Sequence, residues 1–460
     1  MPNSTTMEGQ PRDAAAFDLA LFYAVCAFTA LLGGSSRYDL MQIPMLQAGL
    51  WAMLAVAIVR MRGVPFARGL LVLAVVYAGW LVLQVIPLPH SLWIMLPGRE
   101  ALENVETALG SHHARPFSMA PSRTLNALGG FAAVLAPLVA AINLGRSAPK
   151  QIVIVLIAIA AVSSVLALSQ VQLGSPYLYS ITNTGKPVGL FANSNHFAVC
   201  TAVMIVVLGY VGRFAAPKLQ PAAAILALLL VVSVLLGPSR AGLLTLVVAI
   251  MALGLFMVQN LPAEKLLGGR VRASTLVGVA GAGGLVVLVL AMANSDQVPA
   301  LDRLLASDTF EDMRFAILPT LLEMIGEFAP FGSGTGSFEN VYYMFETREN
   351  MEASYVNMAH NDLLQVLIEG GAVVLGFILT AAVIVYRTVM SLLRRHEAPR
   401  PLLICVAAIT LIVVMASAAD YPLRAPLFQA NITLLLVALS ALAAKARQEA
   451  QGARKQGGWQ

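Results

Sequence analysis

Charged side chains are scarce in this sequence. They make up 12% of the 460 residues, whereas hydrophobic residues make up 58%. Because a soluble globular domain carries about 25% charged residues, the composition excludes an ordinary soluble fold and is typical of a protein that crosses a membrane several times. The net charge of +5 follows from the topology described below, and it gives no support for nucleic-acid binding.

Cysteines and familiar enzyme motifs are also few. The three cysteines, Cys26, Cys200 and Cys405, lie in apolar runs, which favours small core residues over disulfides or metal ligands. The sequence has no GxxxxGK[ST] loop, HExxH motif, paired CxxC or DxD motif, so it predicts neither a cofactor nor a metal. The stretch FGSGTGSF (331–338) lacks the strand–turn–helix context of a phosphate-binding loop. A flexible turn is the favoured interpretation, and a phosphate loop is the alternative.

Long apolar runs dominate the chain instead. A helix needs about 20 apolar residues to cross the hydrocarbon core of a bilayer, and the runs lack the period-two alternation of membrane strands. The sequence therefore predicts an all-α, polytopic membrane helix bundle with about twelve transmembrane helices. The predicted spans cover residues 17–34, 45–59, 69–87, 124–144, 151–171, 190–212, 220–236, 241–259, 273–293, 362–386, 401–419 and 425–444.

The distribution of lysine and arginine predicts the orientation of these spans. One alternate set of loops and ends carries 19 of the 29 basic residues, and the other set carries 10. Because basic residues accumulate on the cytoplasmic side, both termini are predicted to be cytoplasmic. The two longest loops, about 88–123 and 294–359, then lie on the outer face, the second of them between spans nine and ten.

The loop 294–359 is predicted to be partly helical. Asp308 or Thr309 fits a helix N-cap, and Pro319 marks either a kink or a second helix start. An apolar stripe with helical spacing follows the cap; it consists of Phe315, Leu318, Leu322 and Ile325. An amphipathic helix between two spans is expected to lie in the membrane interface, and a packed loop helix is the alternative.

Polar groups collect at the outer ends of the predicted spans. Five segments that lie far apart in the sequence project onto this face: GLFANSNHFA (189–198), GPSRAG (237–242), EDMRF (311–315), MAHND (358–362) and DYPLRAP (420–426). The candidate site residues that they supply are Asn195, Arg240, Arg314, His360, Asn361, Asp420 and Arg424.

The residue types in this set suit chemistry on a phosphorylated substrate. Guanidinium groups bind phosphate oxygens in a bidentate manner and keep their charge, and neutral imidazole accepts a proton near pH 7. Arg240 lies on the face that the positive-inside rule disfavours, which favours a functional role. For Arg424, a contact with lipid head groups is an equally good interpretation, and a histidine at a helix start is often only a cap.

Two runs within residues 314–377 carry a family resemblance. RFAILPTLLEMIGEFAPFGSGTGSF and MAHNDLLQVLIEGGAVVLGF resemble the signature region of the bacterial O-antigen ligase / O-antigen polymerase superfamily. That signature combines an Arg-led helix, a Pro-Phe-Gly-x-Gly turn, and a His-Asn pair followed by an apolar stretch and Glu-x-Gly. GLFANSNHFA and SRAGLLTL resemble other recurrent segments of the family. The N-terminal third is similar only in hydropathy and in LQVIPLPHSLW (83–93), and it carries no assignable site.

The resemblance implies a metal-independent glycosyltransferase that moves a glycan from undecaprenyl diphosphate to a sugar hydroxyl. The implied roles are general base for His360 and diphosphate binding for Arg240 and Arg314. The remaining candidates, Asn195, Asn361, Asp420 and Arg424, are expected to support them. The implied partners are the lipid-linked glycan donor, a lipid A-core or lipid-linked glycan acceptor, and membrane lipids, with no cofactor, metal or nucleic acid. The implied location is the bacterial inner membrane, with a periplasmic active site.

This organisation divides the chain into four parts. A cytoplasmic tail (1–16) precedes an N-terminal transmembrane region with spans one to five (17–184). An O-antigen ligase-like catalytic region (185–430) includes the loop 294–359. The end of the last span and a basic cytoplasmic tail (431–460) complete the chain.

The sequence leaves three functions open. An O-antigen ligase, which joins O-polysaccharide to lipid A-core, is slightly favoured, because the outer face offers few cationic groups beyond Arg240 and Arg314 for a second diphosphate. An O-antigen or exopolysaccharide polymerase is the alternative. A lipid-linked oligosaccharide transporter is disfavoured, because the charges lie at span ends and not at the bilayer midplane, and no internal repeat is evident.

Overall fold

The computed structural model describes residues 12–62, 66–258, 316–348, 356–394 and 400–457. Within these ranges almost all regular structure is helical. The helices are α1 (Arg12–Leu32), α2 (Gln42–Val59), α3 (Arg68–Leu83), α4 (His90–Trp93), α5 (Glu100–Leu109), α6 (Pro121–Gly130), α7 (Ala132–Asn143), α8 (Ala148–Leu173), α9 (Ser194–Tyr210), α10 (Gln220–Leu235), α11 (Arg240–Val258), α12 (Leu318–Phe328), α13 (Phe338–Tyr342), α14 (Asp362–Leu393), α15 (Arg400–Ala419) and α16 (Pro426–Gly457).

Short elements lie between these helices. Strands β1 (Pro87–Leu88) and β2 (Arg115–Pro116) pair antiparallel in a two-stranded ladder. One π-helical turn, Val211–Ala215, follows α9. The 3₁₀ turns among the described residues include Gly145–Ser147, Pro217–Leu219 and Pro422–Arg424.

The helices confirm the predicted class, an all-α polytopic membrane protein. Within the described ranges, nine helices are long and apolar enough to cross a membrane, and two shorter apolar helices, α3 and α10, accompany them. The shorter helices have 16 residues each, which corresponds to about 24 Å at 1.5 Å per residue. The predicted span 273–293 lies outside the described residues, so the total of twelve spans stays a prediction.

Helix α9 forms the centre of the bundle. Its residues from His196 to Leu208 are all buried, and it packs against α8, α10, α11 and α15. A helix that is apolar on every face is expected to be surrounded by other helices, and α9 has this composition. Cys200 lies in this helix; it and the other two cysteines are free and buried, as the sequence predicts.

Helix α7 is a second packing centre, and it consists largely of small residues. Its sequence is AAVLAPLVAAIN, and ten of its residues, Ala132, Ala133, Leu135, Ala136, Pro137, Leu138, Val139, Ala140, Ala141 and Ile142, are buried. Small side chains let helix backbones approach closely in a membrane. Helix α7 accordingly packs against α1, α2 and α16, which joins the start of the chain to its last span.

Backbone hydrogen bonds bring several connections together at one end of the bundle. The amide of Leu427 donates to the carbonyl of Gly33 (2.7 Å), and the amide of Ala192 donates to the carbonyl of Gly34 (3.0 Å). The amide of Gly34 donates to the hydroxyl of Tyr179 (2.6 Å). The connections α1–α2, α8–α9 and α15–α16 therefore meet. We call this end, which also carries His360, the His360 end.

The connection between α3 and α6, residues 84–120, also packs at the His360 end. The amide of Thr335 donates to Oε1 of Gln84 (2.7 Å), and the amide of Met119 donates to the carbonyl of Ser333 (2.8 Å). These bonds join the first long loop to the second one. The two loops that the sequence places on one face are thus in direct contact.

Helix α12 differs in one respect from the prediction. It begins at Leu318 with Pro319 in its first turn, which confirms the second helix start and not a kink. Its buried face contains Thr320, Leu321, Met324 and Phe328, whereas Leu322 is 55% exposed. The packed stripe is therefore displaced by one residue from the predicted one, because α12 packs beneath α14 and the connection 84–120. The predicted cap at Asp308 or Thr309, and Phe315, lie outside the described residues.

The fold allows a direct test of orientation across a single span. Ala114 and Ser147 are both exposed, and they lie on opposite sides of the span Pro121–Asn143. We expect a membrane-impermeant maleimide to label Ala114→Cys on intact spheroplasts and to label Ser147→Cys only after permeabilisation. The wild-type chain is the control, because its three cysteines are buried. The reverse pattern would place the His360 end in the cytoplasm.

Candidate functional site

His360 lies in the loop before α14 and has an unusual backbone. Its φ is 49°, and it is the single non-glycine residue with positive φ in the part of the chain that the structure describes. A left-handed conformation costs such a residue about 1–2 kcal/mol, so the surrounding contacts must hold it. Its ring lies 5.1 Å from that of Tyr421 between centroids, at 66°, and Nδ1 lies 3.9 Å from Oδ1 of Asp420.

Asn361 caps helix α14. Its side-chain oxygen accepts hydrogen bonds from the amides of Leu363 (3.0 Å) and Leu364 (3.1 Å), and its Nδ2 donates to the carbonyl of Ala418 (2.9 Å). An asparagine cap contributes about 1 kcal/mol to a helix. Asn361 therefore fixes the His360 loop against the end of α15, which is a positioning role.

Asp420 is a buried carboxylate at the end of α15, 2% exposed. Its Oδ2 accepts a hydrogen bond from Nδ2 of Asn195 at 2.7 Å, while Oδ1 faces His360. At 3.9 Å this second contact is electrostatic and longer than a hydrogen bond. Burial alone would raise the pKa of Asp420, but the imidazoles of His360 and His196 and the amide of Asn195 lower it to about 2. Asp420 is therefore an anion at physiological pH.

Tyr421 lies between two imidazole rings. Its ring centroid is 5.1 Å from that of His196, at 83°, and 5.1 Å from that of His360, at 66°. His196 belongs to the buried helix α9 and is 1% exposed. These edge-to-face contacts are a preferred aromatic arrangement, and they limit the tilt of the His360 ring.

Arg424 is half-buried and belongs to an ion-pair network. Its Nη1 donates to Oε2 of Glu369 at 2.9 Å, and its Nε lies 3.6 Å from Oδ1 of Asp362. Burial alone would lower the pKa of Arg424, but the carboxylates of Glu369 and Asp362 raise it. These ion pairs favour a role for Arg424 within the site over a contact with lipid head groups. Gln365 completes the network, since its Nε2 donates to Oε1 of Glu369 (3.0 Å).

Helix α14 is broken at Gly371, which has φ 53° and ψ −146°. The amide of Ala372 donates to the carbonyl of Pro330 (2.7 Å) instead of to a carbonyl within the helix. The carbonyls of Ile368 and Glu369 are thereby released from the helix pattern. Glu369 lies two residues before the break, so the break fixes the position along α14 at which Glu369 pairs with Arg424.

The glycine-rich stretch 331–338 fills this break. The amide of Ser333 donates to the carbonyl of Ile368 (2.9 Å), and the amide of Gly334 donates to the carbonyl of Glu369 (2.9 Å). Because these amides are bonded to α14, they do not form an open phosphate cradle. Most of the stretch after Phe331 is buried, with Ser333 and Ser337 fully covered, so the turn is packed against its neighbours.

Of the two arginines predicted to bind diphosphate, only Arg240 lies in the part of the chain that the structure describes. Arg240 is the first residue of α11, which packs against α9 and α15, the helices that carry Asn195 and border Asp420. Its connection lies at the His360 end, because Gly237 faces Pro187 of the α8–α9 connection. Arg314 lies outside the described residues.

A cavity of about 390 Å³ opens beside this network. It reaches the His360 loop at Asn357 and Met358 and the ion pairs at Asp362, Glu369 and Arg424. Its far wall comes from the α1–α2 connection, from α2 and from α6. The side chains there include Arg37, Tyr38, Gln47, Arg123 and Asn126.

The N-terminal wall of the cavity was missed by the sequence analysis. The guanidinium of Arg123 lies 3.4 Å from the ring centroid of Tyr38 and 3.3 Å from Oε2 of Glu339. Arg37 forms an ion pair with Asp39 (2.6 Å). One sequence signal could have identified them. Arg37 and Arg123, like Arg240, belong to the set of loops that carries few basic residues.

The fold and this site define a polytopic all-α membrane protein with a polar, histidine-containing site at one end of its bundle. The family model for O-antigen ligase (Wzy_C) matches residues 225–381, about a third of the chain. This part of the chain is therefore similar to the O-antigen ligase family, which supports a membrane glycosyltransferase of ligase or polymerase type. The match contains Arg240, Arg314 and His360 and leaves Asn195, Asp420 and Arg424 outside. A search of the curated proteins found no match.

The packed glycine turn gives a test of its structural role. A methyl group at Gly332, where φ is +85°, would lie 2.5 Å from the carbonyl oxygen of Glu369. We expect Gly332→Ala to destabilise the protein by roughly 2 kcal/mol or more, through backbone strain and overpacking. The readout is the midpoint of thermal unfolding in detergent.

Gly326→Ala is the matched control, because a methyl group at this position of α12 meets nothing within 4 Å. It should leave stability unchanged or raise it by up to about 1 kcal/mol. Equal midpoints for the two variants would mean that the turn does not hold α14.

Proposed function

We propose that the protein is an O-antigen ligase, which moves a glycan from undecaprenyl diphosphate to a sugar hydroxyl of lipid A-core. The observation that carries this proposal is the Asp420–His360 pair beside a cavity at one end of the bundle. The proposed location is the inner membrane, with both termini in the cytoplasm and the His360 end in the periplasm. The 19-to-10 division of basic residues supports this orientation.

His360 would be the general base, and the geometry favours one of its nitrogens. Nδ1 is the atom that faces Asp420. A carboxylate at this position stabilises the tautomer with a proton on Nδ1, as in catalytic triads, and leaves the lone pair of Nε2 available. Nε2 would take the proton of the acceptor hydroxyl as its oxygen attacks the anomeric carbon. The bond from that carbon to the diphosphate oxygen breaks, and the diphosphate leaves with the electron pair.

Arg240 and Arg314 would bind the leaving diphosphate. A diphosphate gains negative charge as the glycosidic bond breaks, and guanidinium groups neutralise such charge through bidentate hydrogen bonds. Arg240 supports this assignment by its position at the start of α11, on a helix that packs against α9 and α15. Two guanidinium groups supply the charge that a divalent cation supplies in other transferases, so we propose a metal-independent step.

The cavity is the proposed space for the acceptor glycan. Its wall mixes amide side chains, Gln47, Asn126 and Gln429, with the aromatic ring of Tyr77. Amides and aromatic faces together suit the polar edges and apolar faces of a sugar ring, and small-molecule sites commonly combine a few polar groups with apolar walls. An acceptor held there would present a hydroxyl towards the His360 loop.

The charges of the cavity favour ligase over polymerase. Its three arginines, Arg37, Arg123 and Arg424, are each paired with a carboxylate: Asp39, Glu339 and Glu369 respectively. The cavity therefore offers little net positive charge for the second lipid diphosphate that a polymerase must bind. An O-antigen or exopolysaccharide polymerase is the alternative within the same superfamily.

The base assignment is tested by His360→Ala. Loss of a general base typically lowers the rate by about 10²–10⁴-fold, and we expect a loss of this size in transfer by the purified protein from a lipid-linked donor. His113→Ala is the matched control, because His113 is exposed and lies outside the site. If the two variants retain similar activity, His360 is not the base.

A deletion strain distinguishes ligase from polymerase. In the strain that lacks this protein, we expect long glycan to accumulate on the lipid carrier, as resolved by gel analysis of lipid-linked glycans. Accumulation of single repeat units on the carrier would instead identify a polymerase. Wild-type chain supplied on a plasmid should restore the parental pattern, and the His360→Ala chain should not.

A further inference from the structure

We propose that His90, Glu103 and His112 form a binding site for a divalent transition metal such as Zn²⁺, separate from the His360 site. One ligand atom from each residue lies within 4.8 Å of those of the other two. Metal–ligand bonds of about 2.0–2.2 Å place such atoms roughly 3–4 Å apart around a shared ion. A modest closure of the three side chains would therefore complete the site.

Three different pieces of the connection 84–120 supply these ligands. His90 begins α4 and Glu103 belongs to the first turn of α5, while His112 follows α5. Nε2 of His90 lies 3.4 Å from Oε2 of Glu103, and the rings of His90 and His112 are 4.8 Å apart between centroids. Residues that are distant along this loop thus point their donor atoms at a shared space.

Glu106 provides an independent indication of a ligand. This residue is 1% exposed, and its Oε1 is held by Arg115. Its Oε2 is buried without a hydrogen-bond partner among the described residues, and it lies 3.6 Å from Nδ1 of His90. A metal-binding histidine commonly donates its other N–H to a carboxylate, which orients the ring and raises its basicity. Glu106 is placed to accept the Nδ1 proton and leave Nε2 of His90 for the metal.

The donor set selects the kind of metal. Two imidazole nitrogens and one carboxylate oxygen suit Zn²⁺ and neighbouring transition metals, whereas Mg²⁺ and Ca²⁺ prefer oxygen ligands alone. The competing explanation is an ion pair, in which a protonated His90 lies between Glu103 and Glu106. That arrangement needs no metal, and it makes no use of His112.

A bound metal would act on the shape of the first long loop. It would link α4, α5 and the segment before β2, so that the connection 84–120 becomes one rigid unit. This unit packs against the second loop: Gly98 contacts the ring of Phe328, and Met119 donates to Ser333. The proposed role is therefore to stabilise the connection 84–120, which packs against the glycine turn. The transfer step itself does not use this metal.

The test uses full-length protein in detergent, purified without a histidine tag and stripped with a chelator. Zn²⁺ titrated by calorimetry should bind with a stoichiometry near one and raise the midpoint of thermal unfolding. Co²⁺ should give visible absorption bands at the same stoichiometry. Both effects should be lost in His112→Ala and kept in His113→Ala, since both side chains are exposed and only the first belongs to the cluster. Mg²⁺ should have no effect.

Two results would overturn the metal site. Absence of stoichiometric Zn²⁺ binding to the wild-type chain would favour the ion pair. Equal Zn²⁺ binding by His112→Ala and His113→Ala would mean that the metal binds elsewhere. Glu106→Gln tests the positioning role and should weaken Zn²⁺ binding about 10–100-fold, with rescue in Glu106→Asp if the carboxylate is what matters.

Discussion

The buried carboxylate of Asp420 is the contact on which the site depends. It accepts a hydrogen bond from Asn195 at the start of α9, and it faces His360 in the loop before α14. The backbone carbonyl of the same residue accepts from the amide of Asp362 (3.2 Å). An unpaired buried charge costs several kcal/mol, so the contacts with Asn195 and His360 stabilise the carboxylate, while the bond from Asp362 joins its backbone to α14. Helices α9, α14 and α15 are thereby fixed relative to one another at the end where the chemistry is proposed.

The break in α14 is the second constraint, and it acts through the backbone. Gly371 ends the regular pattern, and the glycine turn supplies the hydrogen bonds that the helix has lost. Glu369 is held at this point and pairs with Arg424, whose neighbour Leu423 donates its amide to Oδ2 of Asp362. The glycine turn and the His360 loop are therefore two parts of one network, although the sequence presents them as separate motifs.

Local sequence patterns predicted the spans, their class and the face on which the polar segments meet. Apolar runs are a property of each segment alone, so eleven of the twelve predicted spans correspond to apolar helices in the described part of the chain. The contribution of the N-terminal third was not predicted, because Arg37 and Arg123 reach the cavity only through packing of α1, α2 and α6 against distant helices. The buried face of α12 is displaced by one residue from the predicted face for the same reason. The helices and loops that pack against α12, and not the spacing of its apolar residues, decide which face is buried.

A double-mutant cycle on His360 and Asp420 tests most directly whether the carboxylate acts through the histidine. Transfer rates would be measured, per folded protein, for His360→Ala, Asp420→Asn and the double variant. Residues that act as one unit are strongly non-additive in such measurements. We expect Asp420→Asn to slow the wild-type enzyme and to have almost no further effect once His360 is removed. An equal loss from Asp420→Asn in both backgrounds would contradict the proposal that Asp420 positions His360 as the base.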